Sequence, residues 1–300
     1  MFYADDDEFL AETLPFVRDG VWANEPVLVA VGEAKARALK AELGDEAEAV
    51  QFTDMAELGR NPARIIPAWR EFVDHHGANG RPLRGIGEPI WPGRTAAELV
   101  ECHHHESLLN LAFADTRAFW LLCPYHRGAL DGEVVEEAMR THPYVAEGSA
   151  SRMNDAFVRP EHAPSPFEGP LPPPSATPAE VSFGGHEVRA VRAFIAAWAE
   201  RRGLPASRRM DLVLAVSELA TNSVVHGGGE GTLRAWQEDG VLLCEVRDAG
   251  RLQHPLTGRE KPTHDQASGR GLWLVNHVCD LVQMRAVQHG TVVRLHMSLS

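Results

Sequence analysis

Eight prolines fall among the twenty residues 159–178, and no other stretch so limits what this chain can fold into. Proline lacks a backbone N–H and fixes φ, so neither a helix interior nor a central strand can run through the segment. The 300 residues therefore divide into two domains, 1–158 and 179–300, with 159–178 joining them. Both lengths suit ordinary domains. The joining segment is either a semi-rigid extended linker, reaching at most about 60 Å, or a strap packed along a domain surface. Hydrophobic residues make up 44% of the chain, enough to build cores on either side.

Before the prolines, short apolar runs alternate with helical periodicity. Pro26–Gly32, Ala49–Phe52, Leu83–Gly87 and Phe119–Pro124 read as strands, the first and last as buried ones. Asp6–Val21, Glu33–Leu43, Asn61–His75, Thr95–Ala112 and Asp131–Thr141 read as helices. This order predicts an α/β domain with a mostly parallel sheet covered on both faces. After the prolines, helices at about 186–202 and 206–226 precede strands Thr232–Glu238 and Val241–Asp248, joined at Asp239-Gly240, a strong hairpin signal. A polar stretch, a helix to about Asp280 and strands 281–287 and 291–297 complete the chain. Helices beside a mixed sheet, an α+β sandwich, are expected.

The net charge of −13 is unevenly placed: residues 1–175 carry 15 Arg/Lys against 29 Asp/Glu, while residues 176–300 carry 14 against 13. An acidic first half repels phosphates, so direct nucleic-acid binding is not expected there, and a basic protein surface is the better partner. Solubility alone is the alternative account. No apolar run approaches a membrane span, and the start Asp5-Asp6-Asp7-Glu8 does not resemble a basic leader. A cytoplasmic protein that does not engage membranes is expected. Cysteines 102, 123, 244 and 279 are dispersed as reduced core residues would be.

Chemistry concentrates in the second domain. Apolar residues at 212, 213, 216, 219, 220 and 224 mark one face of a helix, and Glu218, Asn222 and His226 share another. A carboxylate and a carboxamide one turn apart suit a hard cation bridging phosphates, together with a hydroxyl or water to be polarised. Asp248-Ala249-Gly250 ends a strand, where a carboxylate can accept the amine of adenine and a glycine lets the purine approach. Gly269-Arg270-Gly271-Leu272 opens a helix whose first amides can hold phosphate oxygens. The polar residues 251–268 before it have the composition of a lid.

These boxes, with Gly290-Thr291-Val292-Val293, resemble the Bergerat-fold (GHKL) ATPase domain, specifically the anti-sigma-factor serine kinases of bacteria. The resemblance spans about 180–300. It implies ATP and Mg²⁺ as cofactors, with Asn222 as the Mg²⁺ ligand and Glu218 as the catalytic residue. It places Asn222, Asp248, Gly250, Gly269, Arg270, Gly271, Leu272 and Thr291 around the nucleotide. The wider superfamily often has a second glycine two residues after Gly250, where this chain has Leu252. Sensor histidine kinases carry a phosphoacceptor histidine on a dimerising helix before the ATPase domain. Here the proline run occupies that place, and the helix beginning near His186 lacks a long heptad seam.

The first domain resembles the MEDS sensory domain, a degenerate recombinase-like α/β fold, most distinctively over Gly85-Ile-Gly-Glu-Pro-Ile-Trp-Pro-Gly93. Val31-Gly32-Glu33-Ala34-Lys35-Ala36 lacks the glycines and hydroxyl of a phosphate loop, so ATP hydrolysis is not expected there. A small-molecule or partner-sensing pocket is expected near Gly85, Glu88 and Trp91, against the alternative of a structural turn. In Glu101-Cys102-His103-His104-His105-Glu106, consecutive helical positions diverge, so only Cys102/Glu106 or Glu101/His105 share a face for a metal.

Together these readings predict a sensory domain tethered to an anti-sigma kinase domain. The resemblance implies a sigma factor and an anti-anti-sigma (STAS) protein as partners, with transfer to a serine or threonine of the latter. Members of the family often act as dimers, so a homodimer is open. The alternatives are a non-catalytic, nucleotide-dependent binding module that sequesters a partner, and an autophosphorylating histidine kinase.

Overall fold

The computed structural model describes residues 1–77, 80–116, 118–148, 150–159, 162, 167–252, 254–262 and 269–299. Residues 160, 161 and 163–166 of the proline run, and 253 and 263–268 of the expected lid, lie outside the described residues. The chain divides into two compact units, Met1–Ala163 and Pro164–Ser300.

The first unit begins with β1 (Phe2–Tyr3), α1 (Asp6–Trp22), β2 (Val27–Val31), α2 (Glu33–Leu43), β3 (Val50–Asp54) and α3 (Met55–Leu58). It continues with α4 (Ile65–His76), β4 (Leu83–Gly87), α5 (Ala96–Ala112), β5 (Phe119–Leu122), β6 (Tyr125–His126) and α6 (Gly132–Thr141). A hairpin of β7 (Tyr144–Glu147) and β8 (Ala150–Met153) follows. The principal sheet has the order β3-β2-β4-β5 and every pair is parallel.

The five residues of β2 are all buried, which explains their unbroken apolar run. Val27, Val29 and Val31 pack with Val17, Leu39 and Ile86, while Leu28 and Ala30 face Met55, Ile65 and Trp69. One strand thus serves two cores. The strand at 119–122 is not fully buried as its sequence suggests, because β5 is last in the sheet order and leaves Trp120 62% exposed. The short ladder of β1 with β6 and the β7–β8 hairpin had no clear periodicity to announce them.

The second unit contains β9 (Ala179–Gly184), α7 (Val188–Glu200), α8 (Ala206–His226), β10 (Glu230–Glu238) and β11 (Val241–Asp248). Further along the chain come α9 (Arg270–Val278), β12 (Leu281–Val287) and β13 (Gly290–Ser298). The five strands run in the order β12-β13-β11-β10-β9 and all pairs are antiparallel, not mixed. Two hairpins and the additional edge strand β9 account for this, since no parallel crossover remains to be made. At the β10–β11 turn Asp239 and Gly240 both take positive φ, 46° and 77°, as a tight hairpin requires.

One sheet face, with Leu233, Leu242, Cys244, Val246 and Leu295, packs on the helices through residues such as Trp198, Leu212, Val216 and Val275. The other face carries a buried ion pair, Arg294 Nη2 to Glu245 Oε2 at 2.6 Å. Arg294 also donates to the Pro172 carbonyl at 2.8 Å, and the Ala286 N–H donates to the Phe167 carbonyl at 2.8 Å. From Phe167 to Pro172 the proline run is therefore a strap along the second unit.

Candidate functional site

Helix α8 buries Leu212, Ala215, Val216, Leu219, Ala220 and Ser223, leaving Glu218 and Asn222 partly exposed on a neighbouring face. Gly271, in the first turn of α9, stands directly over that pair. A Cβ at 271 would lie 2.7 Å from Glu218 Oε2 and 3.5 Å from Asn222 Nδ2. The structure thus brings together Glu218, Asn222 and the glycine box. His226 is the exposed last residue of α8.

Asp248 lies at the end of β11, at the edge of this site. Its Oδ2 accepts the Ser223 hydroxyl at 2.6 Å and its Oδ1 accepts the Gly250 N–H at 2.8 Å. Gly227 and Gly250 leave a cradle around the carboxylate: Cβ atoms there would lie 2.5 Å from Asp248 Cγ and 2.9 Å from Oδ1. The Ala249 N–H donates to the Gly227 carbonyl at 3.0 Å, which ties the end of α8 to the end of β11. Thr291, paired with Asp248 across the sheet, donates its hydroxyl to the Gly250 carbonyl at 2.8 Å. Its oxygen keeps acceptor capacity toward the site.

Helix α9 starts at Gly269, whose φ of 98° is left-handed and favours glycine. As the N-cap residue, Gly269 brings no side chain of its own to the first-turn N–H groups. Arg270 is exposed and Leu272 is partly buried against the core. The preceding segment is held at two points. Leu252 packs against the core, and Asn276 donates to the Gly258 carbonyl at 2.8 Å.

In the first unit, Gly85 and Glu88, two of the three candidate pocket residues, face opposite sides of the sheet. Gly85 is closed off by Trp69 and Leu121, both within 3 Å of where its Cβ would be. Glu88 follows the opposite alternation, beyond Ile86, and is 4% exposed. It accepts from Lys35 Nζ at 2.5 Å and from the Tyr3 hydroxyl, and Lys35 also bonds Tyr3. Burial pushes the Glu88 carboxyl up, against the opposing pull of Lys35. Trp91 stacks on the Arg94 guanidinium, 3.6 Å from its ring centre. In the Cys-His run, Glu106 accepts from Tyr125 and from Thr141 at 3.2 Å, while Cys102 points to the Pro89 carbonyl at 3.5 Å. Among the described residues no group of three or more His, Cys, Asp or Glu is placed to hold a metal ion. All four cysteines are free and buried.

Residues 185–297 match the family described as the histidine kinase-like ATPase domain, and residues 1–143 match MEDS, the methanogen/methylotroph, DcmR sensory domain. The two matched stretches lie on either side of the proline run. No curated protein matches. Among solved structures, the crystal structure of the RsbU and RsbW domains of Rv1364c from Mycobacterium tuberculosis is similar at 21% identity and a TM-score of 0.32. That likeness covers 41% of this chain, which spans about a third of the other (32%). Among the described residues, no helix is long and apolar enough to cross a membrane.

The ATPase match implies nucleotide binding, and the residues present fit it. Glycines 227 and 250 put no side chain beside the Asp248 carboxylate, and α9 opens behind a glycine, the kind of helix start that suits phosphate oxygens. Two features of the ATPase domain escape the sequence reading. Ser223 gives no local signal, since its role depends on β11 arriving beside α8. The second is an open groove of about 410 Å³ between α7 and α8, lined by Arg192, Met210, Val213 and Leu214 and ending at Glu218. Met210 and Leu214 are exposed apolar residues, and Arg192 donates to Ser217 at 2.7 Å.

Proposed function

We propose that this chain is a signalling regulator whose ATPase domain binds Mg-ATP and phosphorylates a serine or threonine of an anti-anti-sigma (STAS) partner. In this reading it also sequesters a sigma factor, under the control of the MEDS domain on its degenerate recombinase-like scaffold. The observation that carries the reading is the position of Glu218, shared between Gly271 of the glycine box and the open groove between α7 and α8. A carboxylate there meets a nucleotide from one side and an acceptor hydroxyl from the other.

Bound Mg-ATP would supply a transferable phosphoryl group with its charge partly neutralised. Asn222 would ligate the ion through its amide oxygen. Asp248 would accept the adenine amine, Thr291 and Gly250 would border the purine, and Gly269 to Leu272 would present amides to the phosphates, with Arg270 at their rim. Glu218 orients the acceptor hydroxyl and takes its proton. Positioning supplies much of the remaining effect, because phosphoryl transfer asks little covalent chemistry of the protein.

The test is incubation of the full chain with radiolabelled ATP and candidate STAS proteins. Label on a partner serine or threonine, abolished by Glu218→Ala, is the expected result. Equal labelling by both forms would remove Glu218 from the mechanism. A second reading rests on Leu252, whose packing against the core restrains the start of the lid. It makes the domain a nucleotide-dependent binding module without transfer. Measurable ATP affinity and partner binding with no label on any partner would favour it.

A further inference from the structure

We propose that Ser223 sets the adenine preference of the nucleotide site by holding Asp248 in its amine-accepting orientation. The inference rests on the nucleotide reading above and deepens it. Ser223 lies inside α8, fully buried, immediately after Asn222. A buried helical serine ordinarily turns its hydroxyl back to the carbonyl one turn earlier. Here that acceptor, Leu219 O, is 3.1 Å away, whereas Asp248 Oδ2 is 2.6 Å away. A hydroxyl has one proton, and the shorter, charge-assisted bond to the carboxylate takes it.

The consequence falls on the carboxylate plane. The Gly250 N–H fixes Oδ1 from the turn after β11, and Ser223 fixes Oδ2 from α8. Two donors on separate elements leave the plane no freedom about χ2, a torsion that is otherwise broad. Each oxygen retains lone-pair capacity, so a ligand N–H can still be accepted. With Ser223 removed, only Gly250 would orient Asp248. Neither neighbouring glycine, 227 or 250, has a side chain that could replace the lost donor. Ser223 is accordingly a positioning residue, acting on adenine through Asp248.

The experiment compares the full-length wild type with Ser223→Ala and Ser223→Thr, titrated calorimetrically with Mg-ATP and with the triphosphate of purine riboside. The analogue lacks the 6-amino group and keeps everything else. Wild type is expected to prefer ATP, and Ser223→Ala to lose about tenfold of that preference, the worth of one charge-assisted hydrogen bond. Its affinity for the analogue should not change. Ser223→Thr, which keeps the hydroxyl, should keep the preference. Equal weakening toward both ligands would make Ser223 merely structural and overturn the inference. An unchanged preference in Ser223→Ala would overturn it as well. Wild type that binds neither triphosphate would instead overturn the nucleotide reading, and this inference with it. The ratio of two affinities measured on one protein is insensitive to a modest change in stability.

Discussion

Gly271 and Glu218 face each other so closely that a methyl group at 271 would stand 2.7 Å from Glu218 Oε2. The obstructed atom is the end of a flexible side chain, so Glu218 can turn aside at little cost to the fold. Alanine is also the better helix former, by about 1 kcal/mol. Gly271→Ala is therefore expected to leave thermal stability unchanged or slightly raised, and ATP affinity within a few-fold. Partner phosphorylation should fall at least about tenfold, because a displaced catalytic group loses its alignment. Single-turnover phosphotransfer beside calorimetric ATP binding separates the two effects. A loss of binding as large as the loss of transfer would count against an aligning role.

Asp248 offers a second separation. Its two oxygens accept from Ser223 and Gly250, so Asp248→Asn keeps one acceptor but turns an NH₂ group toward a donor. The variant should bind ATP about 10- to 100-fold more weakly, the range for losing a hydrogen bond to a charged group. Inorganic tripolyphosphate, which makes no adenine contact, should bind both forms alike. Isothermal titration with both ligands checks this, and parallel losses would place Asp248 in the fold's support and not in base recognition.

Local periodicity made most elements legible: the 33–43 helix and the 83–87 and 241–248 strands lie where spacing puts them. It could not supply strand direction, so the all-antiparallel second sheet needed β9, whose Ala-Glu-Val-Ser-Phe-Gly run is half exposed and adjoins the prolines. The separation of Gly85 from Glu88 was in principle readable. Positions three apart on a strand and its extension point to opposite faces, and Trp69 fills one while Tyr3 and Lys35 meet the other. Ser223 was not readable, because a serine inside a helix announces nothing about a carboxylate 25 residues later.

The prolines excluded regular structure from 159–178 but said nothing of where the segment lies. Phe167 is 6% exposed within the core cluster of the second unit, and its carbonyl accepts from Ala286 at the outer edge of β12. Phe167→Ala should destabilise that unit by on the order of 3 kcal/mol, as for other buried aromatic truncations. Urea unfolding followed by the fluorescence of the second unit's tryptophans measures it. A change below about 0.5 kcal/mol would mean that the segment is a free tether in solution.

The first unit carries a pH dependence of its own. Burial pushes the Glu106 carboxyl up to about 7 from an ordinary 4.5, although Tyr125 and Thr141 donate to it and pull it down. Below 4.5 the group is protonated in both folded and unfolded chains, and its contribution to stability is fully present. Between 4.5 and about 7 the unfolded chain has released a proton that the folded chain retains. Stability is therefore lost as pH rises through this window, by up to about 3 kcal/mol in all. His142, whose ring packs against Tyr125, works in the opposite sense. Burial lowers it to about 4, so raising pH from 4 to 6.5 relieves the cost of keeping it neutral. The Glu106 part is isolated by subtracting the unfolding profile of Glu106→Gln, which stays neutral and still offers Tyr125 an acceptor. The difference in unfolding free energy, wild type minus variant, should fall steadily from pH 4.5 to 7 and level off above. A difference that is flat across that range would show that Glu106 titrates alike in the folded and unfolded chains.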